Sequence, residues 1–338
     1  MWTDWRSRFR RPTLTAVRVL TAVRVVTAVL AAAVVTAELP ARADDAAVPR
    51  PVPSSGGERT VTGLLVLNEL PGTGELGMRA PEAVEMDHRG NVVIADTGNH
   101  RVLVVGRDGT LVQEFGGYGW DADRLDRPSD VCVYRGFYVY VLDEGNRRVA
   151  RYDIKGDYVD LVVTEDSAGS PVAIAVGKAG GLLLVDTDTQ SVLTYSQFDE
   201  ALEPVGWFGL DEGGLLSPSD VAAGPSREIA VADPGRFSVE VFDEFGGHLY
   251  SLSAPDTLEP LDVAFDVRGN VLVVDARHNR VLAFPAGGGP HTTSLSGSEG
   301  FRFTSIALGA AGELVALDGE AGRVQLIEIA YGADAPGR

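Results

Sequence analysis

Asp96-Thr97-Gly98-Asn99-His100-Arg101-Val102, Asp143-Glu144-Gly145-Asn146-Arg147-Arg148-Val149 and Asp275-Ala276-Arg277-His278-Asn279-Arg280-Val281 are three copies of one pattern. Looser copies begin at Asp186, Asp233 and Asp318, each with a valine six residues on, at Val192, Val239 and Val324. Fifteen residues before each aspartate stands a proline: Pro81, Pro128, Pro171, Pro218 and Pro260, with Phe303 in the sixth place. Successive aspartates lie 47, 43, 47, 42 and 43 residues apart. A fixed period near 45 residues is the mark of a solenoid or a propeller.

Each unit reads as strands. A short apolar segment follows the proline, as in Asp220-Val221-Ala222-Ala223, then a glycine-bearing turn such as Arg89-Gly90-Asn91. A second run, for instance Val271-Leu272-Val273-Val274, ends at the aspartate. Its unbroken apolar character predicts burial on both faces. A tight turn leads to a third strand, such as Val281-Leu282-Ala283-Phe284, and a more variable fourth follows, such as Leu111 to Phe115. Four strands per unit is a propeller blade, so the fold class is all-β, a six-bladed β-propeller with four-stranded blades. The last unit ends after three strands, and one spare strand, Val61 to Leu67, precedes the first proline. The expectation is that this N-terminal strand completes the last blade and closes the ring, hiding the open sheet edges.

The quoted copies resemble the NHL repeat, including its Pro-x-x-Val/Ile start and Gly-Asn turn. The loops Phe115-Gly116-Gly117 leading to Leu125 and Pro128, and Trp207-Phe208-Gly209 leading to Leu215 and Pro218, fit as well. The resemblance covers about residues 60–330. Blades one, two and five match best; in blades three and four Ser191 and Ser238 stand in place of the arginine. Some propellers of this type are metal enzymes, and the peptide-amidating lyase type carries a zinc-binding histidine directly after several of these prolines. Here none of those places holds a histidine, and the five histidines share no single repeat position. The constellations of streptogramin-lyase-like and lactonase-like propellers are also not found.

The first 43 residues differ from the rest. Arg6, Arg8, Arg10 and Arg11 are followed by the apolar run Val25 to Ala37 and by Ala41-Arg42-Ala43 before Asp44. That order predicts a secretory signal peptide over 1–43, with an uncleaved membrane anchor as the alternative. The apolar run of 13 residues is short beside the roughly 20 a transmembrane helix needs. The expected location is therefore secreted or periplasmic. Residues 44–59, rich in Pro, Ser and Gly, read as a flexible linker, 60–330 as the propeller and 331–338 as a tail.

Of 29 basic and 48 acidic residues, seven arginines and two acids fall in the first 43. The remainder carries 22 and 46, a net charge near −24. Such a surface repels phosphate backbones and argues against nucleic acid. Cys132 is the sole cysteine, so no internal disulfide can form.

The six repeated aspartates suggest an active-site array at first sight. One per blade at a strand end is better read as scaffold, a carboxylate accepting backbone N–H bonds from the turn. Arg101, Arg148, Arg280 and Arg323, five residues after their aspartates, read as ion-pair partners within or between blades. Function is expected at the rim of the central channel, where the innermost strands begin. Glu82, Ser129, Asp130, Ser219, Asp220 and Asp262 are the candidate ligand-binding residues there, with backbone bonding at strand starts as their structural alternative. No catalytic residue and no metal ligand is assigned, and no cofactor is expected beyond calcium held by the oxygen atoms of these side chains. The expected function is a non-catalytic binding or scaffold propeller outside the cytoplasm, monomeric, presenting loops and channel rim to a protein, peptide or glycan. The alternative is a metal-assisted lyase or hydrolase using Glu82, Asp130, Asp220 and Asp262 at the channel. Among the loops, Tyr118-Gly119-Trp120 and Trp207-Phe208 are candidates for contact, or for packing between blades.

Overall fold

The structure, a computed structural model, describes residues 60–332 apart from 71–72, 164–168, 178–179, 197–198, 206, 209–212, 299 and 310. The segments expected as signal peptide and linker, and most of the expected tail, lie outside the described residues. Six antiparallel sheets of four strands account for nearly all of the regular structure. The first blade consists of Ala83–Met86, Val92–Asp96, Arg101–Val105 and Leu111–Gly116. Blades two to five repeat this order, beginning at Pro128–Tyr134, Pro171–Val176, Asp220–Ala223 and Pro260–Phe265. The sixth starts with Ser305–Leu308, Glu313–Asp318 and Arg323–Tyr331. The six innermost strands touch one another in succession, and the sixth returns to the first, so the blades form a ring.

The outer place in the sixth sheet is taken by Val61–Glu69, antiparallel to Arg323–Tyr331 from Val61 opposite Tyr331 to Glu69 opposite Gln325. Its Val61 packs with Phe301, Ile327 and Ile329, and Thr292 of blade five donates a 2.6 Å hydrogen bond to the Val61 carbonyl.

Burial follows the strand order. Every residue of Val92–Asp96, Leu182–Asp186, Ile229–Asp233 and Val271–Asp275 is buried, because these strands lie inside the sheet with a neighbouring blade on each face. The outermost strands alternate, as in His248–Leu252, since one side meets solvent. The core is accordingly a set of layers between blades. Val93, Ala95, Val102 and Val104 of blade one interdigitate with Val131, Val139, Val141 and Ala150 of blade two. Blades four and five pack in the same way through Val239, Val241, Val263 and Val273. A stack of this kind has no stable single unit, because each blade borrows half its core from its neighbours.

The turn after each repeated aspartate explains part of the motif. The fourth residue onward has positive φ in all six blades: His100, Arg147, Gln190, Phe237, Asn279 and Gly322. Asparagine and glycine adopt this conformation most readily, and the others are held there by the bonds on either side.

Deleting residues 60–70 removes the outer strand of the sixth blade together with the packing of Val61. Several kcal/mol of apolar burial are lost, and the melting temperature should fall by at least about 10 °C. A truncated protein that melts with the full chain would show that this strand does not hold the ring.

Candidate functional site

The six repeated aspartates are buried, and none of them lines the channel cavities. Each accepts a backbone N–H from the loop entering its own blade. The donors are Arg79 to Asp96 (2.7 Å), Asp126 to Asp143 (2.7 Å), Ser170 to Asp186 (2.9 Å), Leu216 and Ser217 to Asp233 (2.7 and 2.9 Å), Glu259 to Asp275 (3.2 Å) and Arg302 to Asp318 (3.0 Å). Bonds from the following turn add to this at Asp186, Asp233 and Asp318. The scaffold reading therefore holds, with an extension: the carboxylate clamps the incoming loop as well as its own turn.

The repeated arginines complete the clamp within their own blades. Arg101, Arg148 and Arg280 place Nε 2.7, 2.7 and 2.8 Å from Asp96, Asp143 and Asp275, and Arg323 reaches Asp318 at 3.1 Å. Their outer nitrogens go to the incoming loop, Arg101 to the Leu76 carbonyl and Arg148 to the carbonyls of Asp121 and Arg124. Where serine replaces arginine the two blades differ: blade three gives its aspartate another side-chain donor, and blade four has a separate buried acid. In blade three Thr189 Oγ1 donates to Asp186 at 2.6 Å. In blade four buried Glu240 accepts from Ser238 at 2.5 Å and lies 3.3 Å from Arg236.

The channel is a different environment. Glu82, Ser129, Asp130, Ser219, Asp220 and Asp262 all line one cavity of roughly 410 Å³ at the mouth where the innermost strands begin. The structure thus brings the sequence candidates together. Deeper in, Asp130, Asp220 and Asp262 are joined by Glu85 around a narrower cavity of roughly 170 Å³. Among the described residues, no lysine, arginine or histidine lines that inner cavity.

These carboxylates do structural work across the seams. Asp130 accepts the N–H of Ile174 in blade three at 2.6 Å, and Asp220 that of Val263 in blade five at 2.8 Å. Asp262 is bonded to Ser305 and the Ile306 amide of blade six, and Ser305 accepts the Val84 N–H of blade one at 3.2 Å. The residue two places after the proline position therefore reaches, in four of the six seams, the residue three places after it in the next blade. Ala83 and Ala173 occupy the same place in blades one and three and have no side chain for the task. Ser219 adds a further bond, to the carbonyls of Pro260 and Leu261 at 3.3 and 3.2 Å.

Burial deep in the channel raises all four acids. Glu85 and Asp220 are pushed up to about 7, and Asp130 and Asp262 well above the usual carboxylate range. Desolvation is the main cause in each, and the charge of Asp220 adds to it for Glu85, Asp130 and Asp262. The N–H donors from neighbouring strands oppose the rise without overcoming it. Asp262 Oδ1 and Ser129 Oγ are buried without a hydrogen-bond partner among the described residues. The same residues contain no group of three or more His, Cys, Asp or Glu side chains arranged to hold a metal ion, so the geometry adds nothing to the calcium expectation.

Two contributors escaped the sequence reading. Glu85 sits within an innermost strand that reads as apolar, Ala83-Val84-Glu85-Met86. Ser305 could have been found, since it stands in register with Asp130, Asp220 and Asp262. Among the loop candidates, Tyr118 and Trp120 are 59% and 72% exposed, so they do not pack between blades. The side chains of Trp207 and Phe208 lie outside the described residues.

No family model matches the chain. It is 27% identical over 210 residues to the human E3 ubiquitin-protein ligase NHLRC1, taking in 57% of this chain and 52% of that protein. It is 30% identical over 90 residues to bovine NHL repeat-containing protein 2, taking in 24% of this chain and 12% of that protein. The match thus spans about half of the first relative and a smaller share of the second. Among solved structures it resembles virginiamycin B lyase from Staphylococcus aureus, with TM-score 0.56, 14% identity, and coverage of 79% of this chain and 88% of that one. It also resembles the Cps50 (Swd1) β-propeller domain of Myceliophteria thermophila, with TM-score 0.59, 12% identity, and coverage of 79% and 100%. At these identities the structural likeness shows the fold alone. The chain is a six-bladed β-propeller. Its repeats are similar to those of the NHL-repeat proteins among its relatives.

The channel acids set a pH dependence. Glu85 and Asp220 titrate near 7 in the folded chain and near 4 when unfolded, so the folded state binds the extra protons between those values. Their contribution to stability is complete below about pH 4 and is lost as pH rises through about 7. The double variant Glu85→Gln, Asp220→Asn keeps the hydrogen-bond acceptors and removes the charge. Relative to the parent, its melting temperature should rise progressively between pH 5 and 8. A difference that does not change with pH would refute the assignment.

Proposed function

We propose that this protein is a non-catalytic binding propeller, exported from the cytoplasm, that presents one channel mouth and its surrounding loops to a protein, peptide or glycan. One observation carries this reading: the rim aspartates Asp130, Asp220 and Asp262 are committed to the fold. Asp130 and Asp220 spend an oxygen on the N–H of the next blade, at 2.6 and 2.8 Å, in the manner of seam-binding residues. What remains presented to solvent is recognition chemistry on loops, where rigid scaffolds carry their variable contacts. Export is supported by the order of basic, apolar and small residues over 1–43. The likeness to a ubiquitin ligase lies in the repeats and says nothing of ligase activity for this chain.

A second reading, chemistry at the channel, is favoured by one observation: Glu85 and Asp220 titrate near neutrality, where acid–base groups work best. Against it, those pKa values follow from burial among like charges.

Photo-crosslinking amino acids placed at Glu82, at Trp120 and, as a control, at Leu249 on an outermost strand distinguish a binding face from a general surface. In the producing cells, Glu82 and Trp120 should yield a discrete adduct with one partner and Leu249 none. The propeller chain in that adduct should begin at Asp44. No adduct, or equal adducts from all three positions, would overturn the binding reading, and a chain retaining Met1 would overturn the cleavage.

A further inference from the structure

The loop between blades one and two carries a corner of aromatic side chains that the fold does not use. Trp120 and Tyr118 have most of their surface in solvent. Their ring centroids are 5.5 Å apart with the planes at 64°, and Tyr118 meets the His100 ring at 4.9 Å and 68°. Rings at such angles make the walls of a notch, one face turned toward the edge of the next.

The backbone beneath the notch is fixed. Arg148, which pairs with buried Asp143, also donates to the carbonyls of Trp120 (3.5 Å), Asp121 (3.0 Å) and Arg124 (2.5 Å). Asn146 donates to the Gly119 carbonyl at 3.0 Å, and the Gly119 N–H to the Leu125 carbonyl at 3.1 Å. The backbone that carries the two exposed rings is therefore anchored by Arg148 and Asn146. Preorganisation of this sort lowers the entropy lost on binding, and Trp and Tyr are the residues that most often dominate an interface.

The surrounding charge selects the partner. The arginines near the rings already have acceptors: Arg124 donates to the Gly116 carbonyl, and Arg127 lies 3.7 Å from Glu144. Asp121 and Asp123 follow Trp120 directly, are exposed, and make no ion pair among the described residues. Asp121 and Asp123 outnumber Arg124, which donates to a neutral carbonyl, so the balance of charge beside the notch is negative, in a chain of net charge −19. A cation held over the face of Trp or Tyr is attracted by the negative face of the ring, more strongly as water is excluded. A sugar ring stacks on a flat apolar face, and two rings 64° apart share none.

We infer that this corner is a docking site for a basic peptide segment of a partner protein, with a lysine or arginine side chain against Tyr118 and Trp120 and a neighbouring cation on Asp121 and Asp123. The inference rests on the binding reading above and names the partner class.

The test titrates the full chain by calorimetry with three probes: an octa-arginine peptide, an octa-glutamate peptide and chitohexaose. The basic peptide should bind and the other two should not. Trp120→Ala keeps every charge and removes only an exposed ring, so its melting temperature should match the parent while affinity for the basic peptide falls at least tenfold. Trp120→Phe should retain most of the binding. Asp121→Asn with Asp123→Asn should weaken it and flatten its salt dependence. Equal binding by the parent and Trp120→Ala would reduce the interaction to general attraction by an acidic surface and overturn the inference. Chitohexaose binding that disappears in Trp120→Ala would assign the corner to glycans and overturn it too, as would no binding of any probe. In each of these cases the crosslinked adduct at Glu82 still decides the wider binding reading separately.

Discussion

A buried carboxylate at the end of each second strand is the constraint from which this propeller follows. A carboxylate without partners in such a place would be strongly destabilising, so each must be surrounded by donors. The chain supplies them from two directions: the loop entering the blade gives backbone N–H groups, and the third strand gives arginine in four of the blades. Satisfying one group therefore fixes where the incoming loop passes, how the hairpin turns, and how far each blade lies from the last. The apolar layers between blades supply most of the driving force, but such layers are non-directional, and the clamps specify the spacing.

The channel acids obey the same requirement with a poorer outcome. At the axis, among the described residues, no arginine lines the inner cavity beside these carboxylates, and their donors are backbone N–H groups and the Ser305 hydroxyl. The inner ring consequently holds protons near neutrality where the outer clamps hold ion pairs. The aromatic corner is tied to the clamp in blade two: Arg148 reaches past Asp143 to the carbonyls of Trp120 and Asp121, so the side chain that pairs with Asp143 also anchors the backbone of the loop that carries the exposed rings.

The repeat was legible because every blade needs the same buried groups at the same offsets. The period, the blade number and the scaffold role of the aspartates followed from Pro81, Asp96 and Val102 and their equivalents. The mouth candidates were legible for a similar reason, since the residues after the proline fall in register around the axis. What sequence does not encode is the partner across a seam. Nothing in the order of residues says that Asp130 reaches Ile174, or that Glu240 in blade four pairs with Arg236. Glu85 was hidden for a different reason: a single acid in a four-residue strand leaves the apolar pattern intact. The exposure of Trp120 depends on bonds from Arg148, 28 residues away, and so was open between packing and display.

The claim that the buried aspartates specify the ring is tested most directly at Asp143. Asp143→Ala leaves the Arg148 guanidinium buried without its carboxylate, and removing one partner of such a pair costs about 3–5 kcal/mol. Denaturant unfolding of the purified chain should show a loss of that size, while the exposed Asp108→Ala control unfolds with the parent. An Asp143→Ala protein as stable as the parent would contradict the account.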